Sequence, residues 1–294
     1  MRRTATLARA LHAAGALAAV EDDYAAARGF LLESVALWRQ LGNARAEAEA
    51  LYWLAIVTFL PGEYAGARAL LERSLALSGD ANEDWLRVET FAWLAWVAIA
   101  EGAFDAARTV LEEGVALGRR VGDPFALGWV LTWLGYVAIA DGDLPCAQAL
   151  LEEGQTLLHA SEATNPLGFA LAGLGLVADL TGRADALDLL REALRMLHEV
   201  PSRLGVIVTL EFLACHAATR SCPAHALRLG GAAAGRRAAL GSPVRITRPD
   251  RLVAALAWTR HSLDGQAAAN AWSEGYALTQ DQAVAYALRE DADA

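Results

Sequence analysis

The chain has 294 residues, a formal net charge of −10 and an isoelectric point near 5.1. Apolar residues make up 55% of it, and all 25 cationic residues are arginine. The absence of lysine excludes a phosphate-binding loop that ends in Gly-Lys, a Schiff-base lysine and a kinase-type ATP lysine. The acidic balance argues against nucleic-acid backbone binding, because that task needs a cationic face.

Cysteine content and hydropathy bear on the location of the protein. Cys146, Cys215 and Cys222 form an odd set without the spacing of a disulfide framework, which predicts a reducing, cytoplasmic environment. The first residues resemble a signal peptide, but Arg9 and His12 interrupt the apolar stretch. The best candidate for a membrane-spanning segment is the apolar stretch of residues 91–100, and it is too short to cross a membrane. No membrane association is therefore expected.

In chain order, the predicted elements repeat with a period of forty residues. Asp22, Gly62, Gly102, Gly142 and Gly182 recur at this interval. Five copies of the surrounding pattern begin near Leu11, Leu51, Phe91, Leu131 and Leu171, and a sixth, one residue shorter, runs through Leu210. The predicted repeats are about 4–43, 44–82, 83–123, 124–164, 165–202 and 203–247.

Each repeat is predicted to form two antiparallel helices joined by a tight turn. Apolar residues before and after the turn glycine follow a helical period. Asp123 before Pro124 and Asn165 before Pro166 are predicted to be N-caps, each followed by a first-turn proline. Because neither helix can bury its apolar face alone, the repeats are expected to stack.

The framework resembles the tetratricopeptide (TPR, MalT-like) repeat. The resemblance rests on Leu131, Leu134, Gly135 and Ala147, and on the equivalent positions of the other repeats. The consensus tryptophan is replaced by Leu or Phe, which suggests a longer TPR variant. The resemblance implies an all-α, right-handed superhelical solenoid of about six helical hairpins over residues 1–247.

The C-terminal tail resembles that of large bacterial signal-transduction ATPases of the LuxR and SARP regulator type. The segments concerned are 228–243 and 258–288. Such regulators combine a TPR-like sensor with a nucleotide-binding and a DNA-binding domain, and this sequence shows neither of those two. Residues 248–294 are predicted to form a helical cap and tail, in which Thr279 and Gln282 form a capping box.

The first helix of each TPR hairpin lines a concave groove, and the framework predicts which residues point there. The predicted ligand or partner residues are Glu49, Tyr52, Ile56, Glu89, Trp93, Trp96, Trp129, Thr132, Trp133, Tyr136, Phe169, Asp179 and Glu211. Such an apolar, aromatic groove suits an amphipathic helix, another domain of a parent regulator or a small apolar or sugar-like ligand. Tryptophans beside carboxylates would also suit a cationic group.

Several alternatives remain open at this point. Trp53, Trp93 and Trp133 are expected to pack mainly between neighbouring repeats, each with one edge exposed. Cys215, His216, Cys222 and His225 could bind zinc, although their spacing is unusual for that metal. Glu211 and Asp179 could act as an acid and base pair, but no nucleophile accompanies them.

The sequence thus predicts a non-enzymatic TPR binding module without metal or cofactor. It would be the sensor or scaffold part of a bacterial signal-transduction or transcription regulator, and would recognise a protein segment or partner domain. A small-molecule sensor is the first alternative, and an enzyme built on an α-solenoid is the second. No direct nucleic-acid contact is predicted.

Overall fold

The computed structural model describes residues 2–21, 23–79, 84–200, 202–220, 222–241 and 249–289. Within these ranges the protein is all-α and contains no strand, which confirms the predicted helical-repeat architecture. Its helices are α1 Arg2–Val20, α2 Tyr24–Leu41, α3 Ala44–Phe59, α4 Tyr64–Leu77, α5 Asp84–Ala100, α6 Phe104–Val121, α7 Pro124–Asp141, α8 Leu144–Ala160, α9 Thr164–Thr181, α10 Ala186–Glu199, α11 Arg203–Thr219, α12 Pro223–Leu240, α13 Pro249–His261, α14 Gly265–Tyr276 and α15 Gln280–Ala287.

The chain forms two compact units, Met1–Leu134 (unit 1) and Gly135–Ala294 (unit 2), and the boundary between them lies within α7. In unit 1, α1 packs on α2, α3 on α4 and α5 on α6, and each pair also contacts the next. In unit 2, α9 packs on α10 and α11 on α12, while α14 lies against α12. Both units are therefore built mainly from contacts within hairpins and between successive hairpins.

The ends of the helices follow from local chemistry. The Asp23 carboxylate accepts a hydrogen bond from the Ala26 amide, which satisfies a free donor of α2. At the other end, Gly42 has a φ of 67°, a left-handed conformation that glycine adopts without steric cost. The predicted turn glycines Gly62 and Gly102 also have positive φ. The period-marking Asp22 lies outside the described residues.

One of the two predicted proline-preceded caps is confirmed and the other is wrong. Asp123 accepts a hydrogen bond from the amide of Ala126 at 2.9 Å, and α7 begins at Pro124. Asn165 lies inside α9, which begins at Thr164. Its side-chain oxygen accepts a hydrogen bond from the Ser202 hydroxyl at 2.9 Å, so it joins two helical hairpins rather than capping its own helix.

Close packing of the first helix on the second defines each hairpin. A Cβ at Gly15 would lie 2.6 Å from Leu31 Cγ, and a Cβ at Gly135 would lie 2.7 Å from Leu151 Cγ. The buried Ser34 hydroxyl also donates to the Ala8 carbonyl at 2.9 Å. Small residues at these positions let the two helices approach closely, and the leucine fills the space between them.

Helix α7 is, among the described helices, the one long and apolar enough to cross a membrane. In the protein, 72% of its eighteen-residue apolar window is buried. Most of its apolar surface is thus covered by other parts of the chain.

The last three helices lie within the predicted C-terminal cap. Helix α13 contacts α11 and α12, and α15 contacts α10, α11 and α12. The capping box of Thr279 and Gln282 is confirmed, with both of its hydrogen bonds present. Residues 242–248 and 290–294 of the predicted cap and its junction lie outside the described part.

Candidate binding site

A polar network within the aromatic part of unit 1 is the strongest candidate for a functional site. The Tyr52 hydroxyl on α3 donates to Glu89 Oε2 on α5 at 3.0 Å. It also accepts a hydrogen bond from Trp93 Nε1 at 3.0 Å. Glu89 and Trp93 are four residues apart and therefore lie on one face of α5. We call these three residues the Glu89 cluster.

Glu89 is buried in a way that carboxyl groups seldom are. It is 6% exposed, and its Oε1 atom is buried without a hydrogen-bond partner. Burial raises the pKa of Glu89 to about 8, while the hydrogen bond from Tyr52 opposes the shift and the nearby charge of Asp123 adds to it. Glu89 is therefore largely a neutral acid at pH 7, and its Oε1 atom has no hydrogen-bond donor in the described structure.

Aromatic rings surround this cluster. The ring centroids of Trp93 and Trp96 lie 5.0 Å apart, and those of Trp96 and Trp133 lie 4.2 Å apart at an interplanar angle of 76°. Trp129 meets Trp133 edge to face at 5.0 Å, and Phe59 contacts both Trp93 and Trp96. The rings form one continuous aromatic core in unit 1.

Only the edge of this aromatic core reaches solvent. Trp133, which the sequence predicts to show an edge, is completely buried, and Trp96 and Trp129 are 6% and 8% exposed. Trp53 and Trp93 are half-buried, and the Glu49 side chain is 33% exposed. Glu49 forms an ion pair with Arg45 at 3.3 Å. Among the rings of this aromatic core, Trp93 is therefore the half-buried one, and the others are buried.

The other predicted groove residues of unit 1 contribute packing. Ile56 is 8% exposed, and Tyr52 is buried at the same level. Thr132 is fully buried, and its hydroxyl donates to the Gly128 carbonyl of its own helix at 2.8 Å. The Thr132 hydroxyl is thus engaged within α7.

In unit 2, the predicted groove residues have internal partners. Tyr136 is 1% exposed, and its hydroxyl donates to the Phe169 carbonyl at 2.8 Å. Asp179 Oδ1 lies 2.8 Å from His216 Nδ1, and both side chains are almost fully buried. Glu211 accepts hydrogen bonds from two nitrogens of Arg237, at 2.8 and 3.2 Å. The structure gives these residues a role in holding helices together.

The acid and base alternative and the zinc alternative find no support in this geometry. Asp179 contacts His216 and Glu211 bonds to Arg237, so the two carboxyl groups have different partners. Among the four possible zinc ligands, His225 Nδ1 lies 2.7 Å from the Tyr286 hydroxyl and Cys222 Sγ lies 3.7 Å from the Arg220 carbonyl. No group of three or more possible metal ligands occurs in the described part of the chain.

Sequence reasoning did not identify Arg237 and His216 as partners. The sequence does contain a signal for the pair of Glu211 and Arg237. Arg237 follows Glu211 by 26 residues, and the same interval separates the bonded pair of Glu47 and Arg73. The interval joins a first helix to the second helix of the same hairpin.

Solved structures with similar folds are TPR-like repeat proteins. BtubC from P. vanneervenii is 17% identical, with a TM-score of 0.55 over 67% of this chain and 82% of that one. A variant of the kinesin light chain TPR-like repeats from Podosopora anserina is 19% identical, with a TM-score of 0.51 over 68% and 98%. A Rap protein complexed with competence and sporulation factor is 13% identical, with a TM-score of 0.61 over 87% and 74%.

No protein-family model and no curated protein matches the chain. The structural likeness, at these low identities, establishes the fold alone. The protein therefore has a TPR-like helical-repeat fold.

Proposed function

We propose that the protein is a non-enzymatic binding module that recognises a basic side chain of a protein partner at the Glu89 cluster. The observation that carries the proposal is the buried, unpartnered Oε1 of Glu89 next to the half-buried Trp93. Proteins rarely leave such an atom unsatisfied, because its desolvation is costly. A guanidinium or ammonium group of a partner would supply the missing donor once the half-buried Trp93 side chain moves and opens Oε1 to it.

The surroundings of Glu89 suit a cation. The indoles of Trp53 and Trp93 offer faces that attract a positive charge, and such contacts are worth about 0.5–2 kcal/mol each. The carboxylate of Asp123 adds negative charge near Glu89. A protein partner also agrees with the likeness to a Rap protein that was solved in complex with competence and sporulation factor.

Binding of a cation at this site would be linked to proton release. With a pKa of about 8, the Glu89 carboxyl must lose its proton before it can pair with a charged group. Affinity is then expected to rise about tenfold per pH unit up to pH 8 and to level off above it.

The test uses short peptides of one sequence that carry either arginine or its neutral isostere citrulline. Seven of the nine tryptophans lie in residues 1–134, so tryptophan fluorescence reports on unit 1. The arginine peptide should change the fluorescence, and the citrulline peptide should bind at least about tenfold more weakly. Glu89→Gln and Trp93→Ala should remove this preference.

Two matched variants control for unspecific effects. Glu112→Gln removes an exposed carboxylate of α6, and Phe30→Ala removes an exposed ring of α2. Both should bind the arginine peptide as the unmodified protein does. Equal binding of the two peptides, or an unchanged preference in Glu89→Gln, would refute the proposal.

We also propose that this module is the sensor or scaffold part of a cytoplasmic regulator. The resemblance of segments 228–243 and 258–288 to LuxR and SARP regulator tails supports the context, and the three free cysteines agree with a reducing compartment. The natural reading frame around the gene tests the context, since a nucleotide-binding domain encoded in the same frame is expected.

A further inference from the structure

A cavity of about 320 Å³ in unit 2 has a lining unlike the rest of this acidic protein. Helices α11, α12 and α15 contribute to it, and its lining residues are Arg203, Ile207, Arg236, Ala239, Leu240 and Gln280. Among its described lining residues there are two arginines and no carboxylate, although the chain has 35 acidic residues against 25 arginines.

Arg236 is the informative residue. Its Nε atom is shielded from solvent and has no hydrogen-bond partner, although the side chain is only half-buried. Its neighbour Arg237 is bonded to Glu211. Because adjacent residues on a helix point about 100° apart, one arginine serves the core and the other faces the cavity. A guanidinium group keeps its positive charge at every physiological pH, so an oxyanion bound in the cavity would stabilise Arg236.

The remaining lining fits the same kind of ligand. Gln280 is the first residue of α15, where the helix dipole and its side-chain amide both favour negative charge. The nearest acid in sequence, Asp281, is 88% exposed and lies 3.6 Å from His198 Nε2, and it does not line the cavity. Ile207 and Leu240 provide apolar surface beside the arginines.

We propose that this cavity binds a small molecule that carries a phosphate or carboxylate group. Arg236 and Arg203 donate charge-assisted hydrogen bonds to the oxyanion, and Ile207 and Leu240 pack against an apolar part of the ligand. The volume lies at the lower end of the range for small-molecule sites, so the ligand is the size of a phosphorylated or carboxylated single ring. The site shares no residue with the Glu89 cluster, so either proposal can fail without the other.

The experiment uses the full chain with phenyl phosphate, benzoate and inorganic phosphate as probes, and phenol as the uncharged analogue. Ionic strength is held constant with chloride, because exposed charges respond to salt alone. Phenyl phosphate or benzoate at millimolar concentration should raise the thermal midpoint of unit 2 by about 2–4 °C, and phenol should leave it unchanged. Phosphorus NMR line broadening of phenyl phosphate provides a second, direct measurement.

Variants of the arginines decide the outcome. Arg236→Gln should abolish both the thermal shift and the line broadening, and Arg203→Gln should weaken them. Arg195→Gln removes an exposed arginine of α10 and should respond as the unmodified protein does. If Arg236→Gln alters the midpoint by itself, line broadening at low temperature still reports binding to the folded protein. Equal binding by Arg236→Gln, or no response to any of the anions, overturns the proposal.

Discussion

At the scale of single residues, the protein keeps a carboxyl group where its charge is disfavoured. Glu89 receives one hydrogen bond from Tyr52, and its other oxygen has no partner in the described structure. The unfolded chain has no such burial, so the Glu89 pKa there returns to its ordinary value of 4.5. The folded state therefore binds more protons than the unfolded state between pH 4.5 and about 8.

The first prediction concerns stability and pH. Since a raised carboxyl pKa favours folding only while the group is protonated, the free energy of unfolding should fall as pH rises from 4.5 to about 8. Glu89→Gln should flatten this fall and be more stable than the unmodified protein at pH 8, by about 2–4 kcal/mol. Urea unfolding followed by tryptophan fluorescence measures the difference, with Glu112→Gln as the control. A pH dependence that persists in Glu89→Gln would assign it to another group.

At the scale of helices, polar contacts recur at two sequence intervals. Tyr52 to Glu89 and Asp179 to His216 both span 37 residues, which joins the first helices of successive hairpins. An interval of 26 residues joins the first helix to the second within one hairpin, as for Glu211 and Arg237. The period of the sequence therefore determines which polar groups can meet.

The regular intervals explain which features of the fold could be predicted from the sequence. The forty-residue period and the helical pattern are sufficient to predict an all-α repeat fold, because the same apolar pattern occurs in every repeat. The exposure of the groove residues is harder to predict from the sequence. The first helices of neighbouring hairpins approach so closely that Trp96, Trp133 and Tyr136 are buried. A helical period fixes the side of the helix and not the depth of burial. The unsatisfied oxygen of Glu89 depends on three-dimensional packing and has no sequence pattern of its own.

The second prediction concerns the approach of two helices in a hairpin of unit 2. A Cβ at Gly135 would lie 2.7 Å from Leu151 Cγ, and Leu151 is fully buried. Gly135→Ala should therefore destabilise unit 2 by about 1–2 kcal/mol, despite the better helix propensity of alanine. Thermal unfolding measured by circular dichroism checks this.

Two further variants establish the cause. Gly29 lies within α2, where an added Cβ meets nothing within 4 Å, so Gly29→Ala should stabilise its helix by about 0.5–1 kcal/mol. In a Leu151→Ala background, Gly135→Ala should cost little, because the clashing side chain is gone. An undiminished cost in that background would contradict the packing explanation.

At the scale of the whole molecule, most contacts join helices that are close in sequence. In unit 1, α1 contacts α2 and α3, and α2 contacts α3. Stability in such repeat arrays is a sum of local terms, so damage to one hairpin stays near that hairpin.

The third prediction tests this locality. Leu31 is completely buried between α1 and α2, and Leu31→Ala should cost about 2–5 kcal/mol of local stability. Native-state hydrogen exchange should become faster in α1, α2 and α3 and remain unchanged in α9 and α10. Uniformly faster exchange along the chain would mean that the protein unfolds as one cooperative body.

The crossed indoles of Trp96 and Trp133 also have an optical consequence. Their ring centroids are 4.2 Å apart and their planes are steeply inclined, so their electronic transitions form an exciton-coupled, chiral pair. Such a pair adds its own bands to the far-ultraviolet circular dichroism, where helices absorb. Helix content derived from that spectrum alone will be biased, and the loss of the extra bands on Trp96→Phe gives a direct optical readout of how unit 1 is packed.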